Sequence, residues 1–273
     1  MADRRTVVFT DLDGTLLDRE SYRADAALDV LHELARRGIP VVPVTSKTRT
    51  EVLRLQRDHL PFRGPFIVEN GSAIVFPPDD PWTPADRGEI RGQFRILRLG
   101  STYEEAHRAL LSLREDLQIP LTLLPELSDE EVQRLTGLEG PAIAHARARE
   151  FSEVFLVPPE PHLDLLRRAA HDRGFKILVG DRFGHLIGLR AGKGAAIRLL
   201  LDVLKAREPG VEWQTVGLGN SPNDQELLET TDHAVVIPGP AGPHPALTRE
   251  EWIVAPAPGP EGWARAIQEL LDL

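Results

Sequence analysis

The chain is poor in several residue types. Its 273 residues include no cysteine, one methionine and four lysines, and no apolar run approaches the ~18 residues that a membrane span requires. Because cysteine is absent, the chain forms no disulfide, carries no thiolate nucleophile and builds no cysteine-based zinc site. We therefore expect neither thiol chemistry nor a membrane partner.

Acidic residues outnumber basic residues, 42 to 32. The net charge is −10 and no basic run occurs, which argues against nucleic acid as a partner. An acidic protein does not attract an anionic ligand from a distance, so any anion site must be built locally. Residues 1–5 lead into an apolar strand and not into a secretory segment, and we expect a cytoplasmic protein. The sequence leaves the oligomeric state open.

Arginine and proline are abundant. The chain holds 28 arginines and 23 prolines. With few thermolabile residues, this composition is typical of a thermophile, although a GC-rich genome explains the arginines equally well. A thermophilic protein should melt above about 65 °C, beyond the usual mesophile range.

Short apolar segments alternate with helical patterns near the start of the chain. Strands are predicted at residues 6–9, 40–44 and 65–68. The helical patterns between them predict a parallel sheet that is covered on both faces. In such sheets ligands bind at the carboxyl ends of the strands. Polar segments follow all three strands, at residues 11–13, 45–47 and 69–71.

The organisation changes at the turn-rich segment 77–81. Further strand and helix segments are predicted at residues 93–99, 103–117, 121–124, 128–135, 153–157, 162–172, 176–179 and 185–188. The core type of pattern then returns, with helix 193–207 and strand 214–218. We therefore predict a core domain of residues 1–82 and 190–273, interrupted by an inserted α/β unit of residues 83–189.

The first strand ends in the sequence TDLDGT, which places two carboxylates close together. Asp11 and Asp13 are two residues apart and point the same way from an extended chain. Neighbouring carboxylates repel, and the pKa of one rises unless a cation intervenes. The pair therefore suits a divalent cation and a carboxylate nucleophile. The purely structural alternative is a bend at Asp13-Gly14 that Asp11 caps.

Two further motifs stand at predicted helix starts. Thr45 and Ser46 follow the second strand, where a hydroxyl and backbone N–H groups bind an anion, although an ordinary N-cap has the same pattern. Lys193 opens a helix, and its compact ammonium suits contacts with a phosphate and a carboxylate. The glycines around Lys193 do not have the spacing of a P-loop.

A fourth motif, GNSPND, ends a later apolar strand at residues 219–224. The four motifs, in this order, resemble those of the haloacid dehalogenase superfamily of phosphohydrolases. The resemblance spans Asp11 to Asp224 and implies a Rossmann-like α/β core with a parallel sheet and an inserted α/β cap of the C2 type. It also implies that Asp11 is the nucleophile, that Asp13 is the general acid and base, and that Lys193 is catalytic.

The same resemblance implies the ligands of the phosphate and of a metal ion. The implied phosphate-binding residues are Thr45, Ser46, Lys193 and Asn223. The implied cofactor is Mg²⁺, a hard cation that prefers oxygen ligands. Its ligands would be Asp11, the Asp13 backbone carbonyl, Asp224 and Asn220. The family more often has aspartate at position 220, so we expect a modest affinity for Mg²⁺.

More narrowly, residues 45–48, 147–153, 180–185 and 217–224 look like segments of mannosyl-3-phosphoglycerate phosphatases. The implied reaction releases phosphate and mannosylglycerate, a compatible solute. The substrate also carries a carboxylate, which requires a second cationic group. The candidates are Arg147, Arg149 and Arg182, and hydroxyl groups would be bound by Glu69, Asn70, Glu153 and His185. A surface ion-pair cluster is the alternative explanation of the residues around Arg149.

Three other functions remain open at this stage. The substrate could be another phosphorylated sugar derivative, such as sucrose phosphate or glucosyl-3-phosphoglycerate. A phosphomutase would return its phosphoryl group to a sugar. A binding protein with a relic site is the non-enzymatic alternative, which only Asn220 favours.

Overall fold

The computed structural model describes residues 3–58, 60–180 and 183–273. The strands are β1 (Asp3–Thr10), β2 (Val41–Pro43), β3 (Phe66–Val68), β4 (Ala73–Phe76), β5 (Glu89–Arg91), β6 (Phe94–Arg98), β7 (Ser152–Phe155), β8 (Phe175–Val179), β9 (Gly184–Gly188), β10 (Val211–Gly219), β11 (His233–Val236) and β12 (Ile253–Val254). The helices are α1 (Leu28–Arg36), α2 (Arg49–Asp58), α3 (Tyr103–Leu117), α4 (Asp129–Thr136), α5 (Pro141–Arg147), α6 (His162–Asp172), α7 (Lys193–Arg207), α8 (Gln225–Thr230) and α9 (Gly259–Leu271). No helix within these ranges is long and apolar enough to cross a membrane.

The core sheet is parallel and buried on both faces. Its strand order is β12-β11-β10-β1-β2, and all four pairings are parallel. Val8 of β1 packs on one face with α1 and α9, whereas Val7 and Phe9 pack on the other face with α7 and α8. The alternation of side chains along a strand explains why a continuous apolar run is required here. The predicted α/β class with a parallel sheet is confirmed.

A second group of strands extends the core at β2. A parallel bridge joins Val44 to Ile67 of β3, and an antiparallel sheet of order β3-β4-β6-β5 continues from there. Strands β5 and β6 fall inside the insertion predicted at residues 83–189, yet β6 pairs with β4 and β5 pairs with β6. The predicted domain division stays a prediction. The strand pairing favours a first boundary nearer Gly100.

The remaining sheet has the order β7-β9-β8 and is antiparallel. We call this sheet, together with helices α3 to α6, the cap. Helices α3 and α6 pack on one face around Leu110, Leu166 and Phe155. Helices α4 and α5 pack near the opposite face with Val154. This second face is turned toward the carboxyl ends of the core strands, and a cleft lies between them.

Candidate active site

Strand β1 delivers Asp11 to the edge of the core sheet. The backbone N–H of Asp11 donates to the carbonyl of Leu218 at 2.9 Å, which continues the pairing with β10 beyond the strand. Trp263 of α9 donates from Nε1 to Thr10 Oγ1 at 3.0 Å, and the Thr10 hydroxyl donates to the Asp11 carbonyl at 2.7 Å. The backbone of Asp11 is therefore fixed by a neighbouring strand and by a helix behind it.

Lys193 begins α7 and places its ammonium between two carboxylates. Its Nζ lies 2.6 Å from Asp11 Oδ1 and 2.5 Å from Asp224 Oδ1. The second oxygen of Asp224 accepts from the backbone N–H groups of Asn220 and Ser221, at 3.0 Å each. The side chains of Lys193 and Asp224 are fully buried. Lys193 thus directly contacts residues of two other sequence motifs.

Burial and charge oppose each other in this cluster. Burial and the negative charge of Asp224 raise the pKa of Asp11 to about 7, although Lys193 acts to lower it. Burial also opposes the charge of Lys193, but the attraction of Asp11 and Asp224 outweighs it and raises the pKa of Lys193. The ammonium therefore stays charged at neutral pH, where it favours the ionised form of Asp11.

Asp13 is paired with a lysine that the predicted site did not include. Lys47 Nζ lies 2.9 Å from Asp13 Oδ2 and 3.8 Å from Glu51 Oε1. The ammonium also stands over the ring of Tyr22, 4.9 Å from its centroid. Lys47 is buried, and its two acidic neighbours outweigh burial and raise its pKa. Its rarity was the available signal, because the chain has four lysines against 28 arginines.

Gly14 and Asn220 pack against each other beneath the site. Gly14 has a φ of +74°, a left-handed conformation that L side chains rarely adopt. A Cβ at this position would lie 2.4 Å from Nδ2 of Asn220. The glycine after Asp13 is therefore required both by the turn and by the close approach of Asn220.

The oxygen atoms near Asp11 fit a hard cation. Asp13 Oδ1 and Asn220 Oδ1 are buried and have no hydrogen-bond partner. Carboxylate, carbonyl and amide oxygens are the ligands that Mg²⁺ prefers. Within the described residues, however, no group of three or more histidine, aspartate or glutamate side chains forms a metal cluster. A cation here would depend on amide and backbone oxygens besides the carboxylates of Asp11 and Asp224.

The predicted phosphate-binding residues lie around the same edge. Thr45 is buried, and its hydroxyl accepts from the backbone N–H of Lys47 at 3.1 Å. Ser46 lines the cleft beside Asn223. The amide of Asn223 donates to Asn70 Oδ1 at 3.1 Å, and Asn70 is fully buried with a φ of +58°. Asn70 thus contacts Asn223, and the substrate contact predicted for Asn70 stays a prediction.

The cleft between core and cap has a volume of about 140 Å³. Its floor is formed by core residues Asp11, Asp13, Ser46, Lys47, Asn220 and Asn223, and its roof by cap residues that include Leu124, Leu138, Arg149, Val154, Phe183 and His185. The floor is polar and the roof largely apolar. A ligand here would contact phosphate-binding groups on one side and apolar side chains on the other.

Two predicted cap residues, Arg149 and His185, line this cleft. The guanidinium of Arg149 donates to the Ser46 carbonyl at 2.7 Å and lies 3.4 Å from His185 Nδ1. Burial, with the charges of Arg149 and Lys193, lowers the pKa of His185 to about 3. The imidazole is therefore neutral at neutral pH.

Two other predicted cap residues, Glu153 and Arg147, contact other parts of the cap. Glu153 is fully buried and faces α3, where its Oε2 lies 2.5 Å from His107 Nδ1. Arg147 donates to the Leu127 carbonyl at 2.6 Å and pairs with Asp129 at 2.7 Å, both inside the cap. Arg182 lies outside the described residues.

Glu69 has a structural contact that the sequence did not predict. Its buried carboxylate accepts from the backbone N–H groups of Glu150 and Phe151, at 2.8 and 3.1 Å, and from the Ser152 hydroxyl at 2.5 Å. Burial raises the pKa of Glu69, although the charge of Arg149 and these hydrogen bonds act to lower it. Both oxygens are thus used to hold the cap to the core, which does not favour the predicted contact with a substrate hydroxyl.

The chain is similar to proteins of known families. Residues 8–84 match the family of haloacid dehalogenase-like hydrolases. A glucosyl-3-phosphoglycerate/mannosyl-3-phosphoglycerate phosphatase of Persephonella marina is 35% identical over 97% of each chain. A mannosyl-3-phosphoglycerate phosphatase of Pyrococcus furiosus is 36% identical over 85% of this chain and 90% of its own. The same fold occurs in a solved structure of a phosphatase of the haloalkanoate enzyme superfamily from Bacteroides thetaiotaomicron, with a TM-score of 0.68. The two chains are 15% identical, and the match covers 99% of this chain and 96% of that chain.

Proposed function

Because the chain belongs to the haloacid dehalogenase-like hydrolases and is a phosphoric monoester hydrolase, we propose that it hydrolyses mannosyl-3-phosphoglycerate. The products are mannosylglycerate and phosphate. The observation that carries the proposed chemistry is the ammonium of Lys193, held between Asp11 and Asp224 at the ends of the core strands. The proposed substrate is supported by the names of the two relatives, which are similar over most of their length.

The proposed reaction has two displacements. In the first, a carboxylate oxygen of Asp11 attacks phosphorus and forms an aspartyl-phosphate, while Asp13 donates a proton to the departing alkoxide of the glycerate. In the second, Asp13 takes a proton from water, and the resulting hydroxide attacks phosphorus and restores the Asp11 carboxylate. General acid and base catalysis of this kind is typically worth about 10² to 10⁴ in rate.

The surrounding residues would bind the phosphate and a cation. Lys193 contacts the nucleophile and offsets the charge of the phosphoryl group, and Thr45, Ser46 and Asn223 are proposed to bind the phosphate oxygens. Mg²⁺ would be held by Asp11, Asp224, the Asp13 carbonyl and the Asn220 amide oxygen. When bound, it would reduce the repulsion between carboxylate and phosphate and polarise the phosphoryl group.

The closely related substrate glucosyl-3-phosphoglycerate is the second candidate. It is favoured by the Persephonella marina relative, whose name includes both glucosyl and mannosyl substrates. The two substrates carry the same phosphate and the same carboxylate and differ only in the sugar. Discrimination between them would therefore depend on the roof of the cleft. If the products serve as compatible solutes, they also agree with the thermophile-like composition, and thermophily stays a prediction.

The proposal is tested by phosphate release from a panel of phosphorylated compounds, with and without Mg²⁺. The panel contains mannosyl- and glucosyl-3-phosphoglycerate, sucrose phosphate and hexose phosphates. We expect Mg²⁺-dependent release with the highest kcat/KM for the glycosyl-3-phosphoglycerates. Higher kcat/KM for a hexose phosphate would contradict the substrate assignment, and an isomerised sugar phosphate without phosphate release would indicate a phosphomutase.

A further inference from the structure

Arg149 lines the cleft and differs from the two lysines of the site in its partners. Lys193 is paired with Asp11 and Asp224, and Lys47 is paired with Asp13. Arg149 makes no salt bridge with any residue in the described part of the chain. Its guanidinium donates to the carbonyl of Ser46, and a longer contact reaches a histidine that is neutral at neutral pH. Its positive charge therefore faces the cleft without a carboxylate in hydrogen-bond contact.

Several donor groups of Arg149 are unused. A guanidinium carries five N–H groups, of which the contacts to Ser46 and His185 occupy two. Nε is buried and has no hydrogen-bond partner. A buried N–H group without an acceptor raises the free energy of the protein, and a ligand that accepts a hydrogen bond from this group removes that penalty. The geometry of the guanidinium fork matches a carboxylate in particular.

The cap segment that carries Arg149 is fixed to the core from its other side. Glu69 accepts three hydrogen bonds from residues 150–152, immediately after Arg149. Arg149 lies near enough to favour the ionised form of Glu69, but the oxygens of Glu69 point to the backbone of residues 150–152. Arg49 and Arg91 also pair with Glu150, at 2.8 and 3.0 Å. Hydrogen bonds and ion pairs of residues 150–152 thus hold the neighbouring backbone to the core, and the guanidinium contacts Ser46.

We propose that Arg149 binds the carboxylate of the glycerate moiety and so selects substrates that carry a second anionic group beside the phosphate. This inference rests on the proposed function. It separates Arg149 from Arg147, because Arg147 is paired with Asp129 inside the cap; the third arginine that the sequence left as an alternative, Arg182, lies outside the described residues. The roof of the cleft would then hold the carboxylate at Arg149, with the phosphate at the floor beside Asp11.

The test compares two substrates that differ only in the charge of this carboxylate: mannosyl-3-phosphoglycerate and its carboxyl methyl ester. Wild-type protein should prefer the acid over the ester. Arg149→Met should lower kcat/KM for the acid roughly 10- to 100-fold, because a charge-assisted hydrogen bond is lost. The same substitution should change kcat/KM for the ester less than about threefold. Arg149→Lys should retain part of the preference, because it keeps the charge without the fork.

Controls separate this effect from a general loss of structure. Arg134→Met removes an exposed charge from cap helix α4 and should leave the preference for the acid unchanged. An equal loss for acid and ester in Arg149→Met would overturn the inference, as would loss of the preference in Arg147→Met instead. Wild-type protein that releases phosphate from neither compound, but from another phosphate ester in the panel, would contradict the proposed substrate. That result would also contradict the assignment of Arg149 to the glycerate carboxylate.

Discussion

Replacement of Lys193 by methionine removes the cation between two buried carboxylates. The exposed fractions of the side chains of Asp11 and Asp224 are 7% and 0%. Removing one partner of a buried ion pair costs roughly 3 to 5 kcal/mol, because the remaining charge is left uncompensated. Because the ammonium of Lys193 is paired with two carboxylates, we expect the free energy of unfolding of the metal-free protein to fall by about 4 to 5 kcal/mol, the upper part of this range.

The assay is urea denaturation at neutral pH in the presence of a chelator. Lys205→Met is the matched control, because Lys205 is an exposed lysine of the same helix and should change the free energy of unfolding by less than about 0.5 kcal/mol. Adding Asp11→Asn to the Lys193→Met variant removes one unpaired carboxylate and should restore part of the stability. A loss below about 1 kcal/mol in Lys193→Met would refute the electrostatic account of this cluster.

Three further predictions concern neighbouring residues. Asn220→Asp adds a carboxylate beside Asp11, and the Mg²⁺ concentration that gives half-maximal activity should fall roughly tenfold; an unchanged value would exclude Asn220 from the metal site. Glu69→Ala leaves three donors without an acceptor and should lower the free energy of unfolding by roughly 2 to 4 kcal/mol in urea denaturation; a smaller loss than 1 kcal/mol would show that water replaces the carboxylate. In metal-free protein the pKa of Asp11, about 7, exceeds its ordinary 3.8, so its stabilising contribution is complete below about pH 4 and is lost as the pH rises through 7. Urea midpoints should fall from pH 5 to pH 8, and by less in Asp11→Asn.

The sequence predicts that the motifs of the core lie close together, because parallel strands impose their positions. Each motif follows an apolar strand or begins a helix, and all strands of such a sheet end at the same edge. That rule brings Asp11 and Asp224 to one edge, because β1 and β10 are neighbours in the core sheet, and Lys193 at the start of α7 contacts both of them there. Lys47 did not follow from it, because its contact with Asp13 depends on the direction of one side chain at a helix start.

The cap is predicted less well, because the direction of its side chains depends on packing between distant segments. Glu153 and Val154 are adjacent on β7, so their side chains point to opposite sides of the sheet. The contact of Glu153 with His107 of α3 shows that Glu153 points away from the cleft, and this contact could not be predicted from the sequence. The partners of Glu69 are about 80 residues away in sequence. Strand β5 and helix α5 were not predicted, because each is short and has at most one buried residue.

The central claim, that Asp11 is the nucleophile of a phosphatase acting on mannosyl-3-phosphoglycerate, is tested most directly by trapping the covalent intermediate. Substrate labelled with ³²P in its phosphate is mixed with the protein and Mg²⁺, the reaction is quenched in acid, and the labelled peptide is identified. We predict label on the peptide that contains Asp11, and none in Asp11→Asn. Turnover without labelled protein, or label on another residue, would contradict the account.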